Sequence, residues 1–162
     1  MQSRYGEISY GIVNVGDWER NYFDSTVIEK YKDAIDFNAD IVIIRFGENV
    51  NRTDFTTYPF VNYLRDFVNS FTQNASKVIV TDNFWEHEYI CNALKTVAKE
   101  SGYDFVTISD LGYVDENKAL GLFEHPGVAI HPGDLGMKHM ADRIFSVLKM
   151  LYISVSFIRP SA

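Results

Sequence analysis

Two short runs, "DIVIIRFG" at 40–47 and "KVIVTDN" at 77–83, constrain this chain more than any other feature. The first is a near-continuous apolar run, the mark of a strand covered on both faces. The second, with its β-branched Val-Ile-Val-Thr, reads as another buried strand, and such strands belong to parallel sheets packed between helices. Segments with helical periodicity lie between and after them. "STVIEKYKDAIDF" at 25–37 puts Val27, Tyr31, Ala34 and Ile35 on one face, with Thr26 and Glu29 in capping-box spacing. "YPFVNYLRDFVNSF" at 58–71 has Pro59 where a first helical turn accepts it, and repeats Phe60, Leu64, Phe67, Val68 and Phe71 at helical spacing. A third helix is expected over 86–102, stopped by Gly102. A fourth, over 137–151, directs Met140, Ile144, Val147, Leu148 and Leu151 inward. Further strands are expected at 7–15 and 104–109. Strands alternating with helices predict an α/β protein, a three-layer α/β/α sandwich around a mainly parallel sheet. We expect one such domain over residues 1–151. The β-branched tail at 152–162 reads as an extra strand or as a frayed extension.

The composition narrows the function classes. Of 162 residues, 46% are hydrophobic and 23% charged, which suits one globular domain. A formal net charge of -7 repels phosphate backbones, so nucleic acid is not expected as a partner. The single Cys91 excludes an internal disulfide. No apolar run approaches the roughly 20 residues of a membrane span, and the start "MQSRYGEISYG" lacks a signal-peptide core, so a cytoplasmic product without a membrane partner is expected as written. No glycine-rich phosphate loop follows the first strand, which weighs against a nucleotide-binding or flavodoxin-like function, and no cofactor is expected.

In parallel α/β folds, chemistry collects in the loops beyond the carboxyl ends of the strands. Two of those loops stand out. In "RFGENVN" (45–51), Gly47 permits a turn and Asn49 offers a short, stiff amide donor. Such a donor beside backbone N–H groups suits a developing oxyanion, although Gly and Asn are also ordinary turn residues. In "FEHPGVAIHPGDLGM" (123–137), His131 has three readings. One is zinc, recruiting His125, His131 and His139, or His87 with Glu86 and Glu88. The spacings match no usual metal motif, and no metal is expected. Another is a helix entrance in which Asp134 caps the following helix. The third is a general base near neutral pH.

The two motifs in this order resemble the SGNH hydrolases, also called GDSL-type esterases and lipases. "DIVIIRFGENVN" is similar to the family block in which Gly-x-Asn supplies an oxyanion-hole Asn, here Asn49. "HPGDLGMKHMADRI" is similar to the closing block in which the catalytic His precedes Pro and a helix, here His131. "IVNVGDWERNYFD" is similar to the segment that contributes a backbone N–H to the same hole, with Gly16 the only glycine there. The likeness runs from about Tyr5 to Leu148, and "WERNYF" with "FEHPG" resembles the esterase-like proteins of carbohydrate-degrading bacteria. What the resemblance implies is an ester hydrolase for acyl or acetyl esters, with a small-molecule or carbohydrate ester as partner.

Several positions depart from that pattern. The family nucleophile is the Ser of Gly-Asp-Ser at the end of a first strand. Here the Gly-Asp pairs are Gly16-Asp17 followed by Trp18 and Gly133-Asp134 followed by Leu135. The first strand is therefore expected to be missing, as in a truncated reading of a longer protein. Hydrolysis is expected to be impaired, with a non-catalytic domain that only binds a ligand as the alternative. Val128 stands where the family acid usually sits, which leaves Glu124 or a backbone carbonyl to orient the imidazole. Glu19 stands where many members have a glycine. Trp18 and Arg20 are expected to line the pocket, with packing over the sheet edge as the alternative for Trp18.

Overall fold

The computed structural model describes residues 8–53 and 55–156. Three strands, β1 (Ile41–Ile44), β2 (Lys77–Thr81) and β3 (Asp104–Val106), form a parallel sheet in the order β1-β2-β3, with Ile43 opposite Ile79 and Val80 opposite Phe105. The helices are α1 (Gly16–Arg20), α2 (Lys32–Asp36), α3 (Phe60–Thr72), α4 (Glu88–Ser101), α5 (Pro126–Ala129) and α6 (Asp134–Ser156). The class is α/β. Among the described residues, no helix is long and apolar enough to cross a membrane.

Side chains alternate across a strand, and β2 distributes its residues accordingly. Val78 and Val80 join Ile44, Leu64, Phe67 and Val68 together with Ile90, Leu94 and Val97 of α4. Ile79 faces a separate cluster with Phe84, Val106, Ile108, Leu111 and Met140, flanked by Ile144, Val147 and Leu148 of α6. Each large side chain buried in this way contributes about 1.5–3 kcal/mol. The helical spacing of α3 and α4 thus reads correctly in the sequence. Pro59 lies one residue outside α3 as its N-cap, and Gly102 ends α4 in the left-handed region at φ +69, donating to the Ala98 and Lys99 carbonyls.

Several elements differ from the sequence expectation. Among the described residues β1 is a sheet edge, not a strand covered on both faces: Ile41 and Ile43 are 43% and 45% exposed. The cluster under α6 takes its strand residues from β2 and β3, so among the described residues the β1 side chains on that face lie outside it. Residues 8–15 form no strand. Ile8, Tyr10 and Ile12 are exposed, and nothing lies within 4 Å of where a Gly11 side chain would begin. Strand propensity yields a strand only where a ladder partner is present, and among the described residues none lies alongside this segment. The helix expected over 25–37 divides into a 3-10 turn at Ser25–Tyr31 and α2. Its cap is Asp24, whose carboxylate accepts from both the N–H and the hydroxyl of Thr26. β3 stops at Val106 because the N–H groups of Ile108 and Ser109 turn to Asp82 Oδ1 at 2.5 and 3.0 Å. The tail expected as an extra strand continues α6 as far as Ser156, and residues 157–162 lie outside the described residues.

Candidate functional site

The loop after β1 closes around a carboxylate. Gly47, at φ +122, has Asn83 and Ile90 packed where a side chain would start, so only glycine fits there. Its N–H donates to Glu19 Oε1 at 2.5 Å, the Asn49 N–H reaches the same oxygen at 3.3 Å, and Asn49 Nδ2 donates to Glu19 Oε2 at 3.0 Å. The Glu19 backbone carbonyl accepts from the Asn51 N–H at 3.0 Å. Glu19 is 3% exposed. Its neighbour Trp18 fixes α1 in the core, its ring stacked on Phe67 at 4.0 Å and its backbone N–H donating to the Tyr31 hydroxyl at 3.1 Å. The Asn49 side chain itself lies at the surface. One of its two amide protons is engaged by Glu19.

His131 sits at the turn between α5 and α6. His125 precedes α5, and its carbonyl accepts from the Val128 and Ala129 N–H groups; one turn later the Gly127 carbonyl meets His131 Nδ1 at 2.8 Å. A carbonyl only accepts, so Nδ1 is the donor in this bond, and in the neutral ring Nε2 is the acceptor nitrogen. The imidazole packs edge-on against Trp85 at 4.5 Å, and Trp85 Nε1 donates to the Ile130 carbonyl. The following residues are clamped to the preceding loop: the His131 carbonyl accepts from Ala119, and the Gly133 N–H donates to the Asn117 carbonyl. Asp134 opens α6 from inside the first turn and is not its cap, since the Gly133 carbonyl already receives the Met137 N–H. Its charge still complements the helix amino terminus.

Both loops lie at the carboxyl end of the sheet and share a link. The Phe84 N–H donates to Glu48 Oε1 at 3.3 Å, and the next residue, Trp85, carries the His131 ring. The other sequence candidates fall elsewhere. The Gly16 N–H donates to Asn14 Oδ1, and Trp18 is core rather than pocket lining. Arg20 pairs with Asp17 on the surface. Glu124 is exposed, and the imidazole takes its partner from the Gly127 carbonyl. Among the described residues no three His, Cys, Asp or Glu side chains converge as metal ligands would. Three residues that the sequence reading missed organise the region. They are Glu19, Asp82 and Asn117, the last donating to the Leu111 carbonyl and meeting His139 Nδ1 at 2.8 Å.

A cavity of about 520 Å³ opens between α6 and the turns at 109–117, lined by Leu111, Val114, Leu135, His139 and the Asp110–Arg143 ion pair. Neither Asn49 nor His131 lines it. Comparison with family models, curated proteins and solved structures gives no match for this chain.

Proposed function

We propose that this chain is an SGNH-type ester hydrolase domain for acyl or acetyl esters, including those of carbohydrates, built as a three-layer α/β/α sandwich. His131 is the general base and Asn49 an oxyanion donor. The observation that carries this reading is the oriented imidazole: with Nδ1–H donated to the Gly127 carbonyl, Nε2 of the neutral ring is the nitrogen free to accept a proton, in a loop beyond the carboxyl end of a parallel sheet. No Gly-Asp-Ser occurs within these 162 residues, and for this stretch of chain the group that His131 can activate is water. Nε2 takes one water proton as hydroxide adds to the ester carbonyl. The tetrahedral oxyanion is met by the Asn49 amide, and the departing alkoxide takes the proton back from Nε2. Turnover by this route is weak, because no acyl-enzyme divides the barrier.

A second reading, a domain that binds an ester or carboxylate without turning it over, is favoured by the engagement of Asn49 with Glu19. Hydrolysis of p-nitrophenyl acetate and acetylated oligosaccharides separates the two. Weak turnover that vanishes in His131→Ala and falls by about 10²-fold in Asn49→Ala supports the hydrolase. Turnover indifferent to His131→Ala sinks it. Calorimetric binding of the oligosaccharide with no turnover selects the binder.

A further inference from the structure

We infer that the amide donors of the Gly47–Asn49 loop form a carboxylate-binding site, and that the chain keeps this site occupied with its own Glu19. Three N–H groups converge on two oxygens: Gly47 and Asn49 through the backbone on Oε1, and the Asn49 amide on Oε2. Among the described residues Glu19 forms no ion pair, although it is almost fully buried. Burying a carboxylate without a cation costs several kcal/mol, and charge-assisted hydrogen bonds from a fixed donor set are what offsets it. The donor set is fixed. Gly47 turns its N–H inward from a left-handed conformation, and Asn83 Nδ2 holds the preceding Phe46 carbonyl at 3.0 Å.

The chemical class follows from the count and charge of the donors. Three amide N–H groups with no guanidinium or ammonium suit one planar, singly charged anion of acetate or formate size. A phosphate would leave further charged oxygens without partners. The inference rests on the proposed hydrolase only for its catalytic consequence. With Glu19 seated, all three donors are engaged and Asn49 has one amide proton left for an oxyanion, so Glu19 acts as an internal competitor. The binding claim itself needs no ester chemistry.

The test replaces the internal ligand with an external one. Glu19→Ala is melted in sodium acetate, sodium formate and sodium chloride at equal ionic strength, beside the wild type and Glu19→Gln. Acetate and formate are expected to raise the Tm of the alanine variant over its value in chloride by about 2–4 °C, with no such difference in the other two proteins. Equal melting, or equal failure to fold, in the three salts overturns the proposal. Glu19→Gln keeps the shape with a neutral acceptor and supplies a folded reference. Its Gly47 amide proton resonance is expected to move upfield of the wild-type position, and an unmoved resonance overturns the proposal whatever the alanine variant does. No ester is present in either measurement, so the hydrolase reading and this one fail independently.

Discussion

At Asn117 a single buried side chain organises the approach to His131. Its Nδ2 donates to the Leu111 carbonyl, its Oδ1 meets His139 Nδ1, and its backbone carbonyl takes the Gly133 N–H two residues beyond the imidazole. Asn117→Ala removes that donor and leaves the Leu111 carbonyl with the Val114 N–H, at an expected cost of about 0.5–1.5 kcal/mol in urea unfolding. A midpoint unchanged from wild type would remove Asn117 from this role. The same carbonyl explains a glycine. Gly136 lies within the first turn of α6, and a Cβ there would overlap the Asn117 carbonyl oxygen. In an open helix Gly→Ala would gain up to about 1 kcal/mol of propensity, whereas overpacking costs about 1–3 kcal/mol. The clash wins, so Gly136→Ala is expected to destabilise, and a rise in Tm would contradict the close approach.

Between elements, the aromatic contact of α1 with α3 decides where Glu19 stands. The Trp18 ring lies on Phe67 with an interplanar angle of 14° and meets Phe46 edge-on at 5.4 Å. Phe67→Ala is expected to cost about 3–5 kcal/mol and to loosen α1, which would appear as faster amide exchange at Gly47 and Asn49. Protection unchanged at those two amides would separate the core from the site. This coupling marks the limit of sequence reading. The periodicity of α3 was legible because its buried face repeats at about 3.6 residues, α4 by its closing glycine, the loop of Asn49 because it follows an apolar run, and His131 by the His-Pro-Gly turn before a helix. Which strand becomes an edge was not, since "DIVIIRFG" looks the same whether Ile41 and Ile43 are covered or bare. Glu19 was visible only as a departure from a family pattern. Its partners lie 28 and 30 residues away, and a carboxylate between Trp18 and Arg20 looks like a surface residue until the fold closes over it.

The molecule as a whole gains acid sensitivity from its carboxylates and a liability from its sheet edge. The hydrogen bond from Arg143 holds the Asp110 carboxyl below its ordinary value of 3.8, and bonds from Lys30 and then Arg20 do the same for Asp17. A depressed folded-state value means stabilisation that is present above 3.8 and lost as pH falls through the lowered value. Arg143→Ala breaks the tie of α6 to Asp110 and to the Thr107 carbonyl. Because the ion pair is largely exposed, its loss is expected to cost about 0.2–1 kcal/mol at neutral pH, with the two proteins converging below that window. A gap that persists into strong acid would point to lost packing instead. The sheet edge acts under all conditions. Among the described residues β1 pairs only with β2, which leaves one side of its backbone open beneath exposed Ile41 and Ile43. Open edges with apolar side chains pair with other chains, and a lysine on such an edge opposes this because its charge would have to be buried. Ile43 is about half exposed already, so Ile43→Lys is expected to cost no more than about 1 kcal/mol while lowering light scattering on concentration or mild heating. Phe145→Lys, an exposed apolar position on α6, serves as the control. If it suppresses scattering as well as Ile43→Lys does, general surface hydrophobicity drives association and the edge has no special part in it.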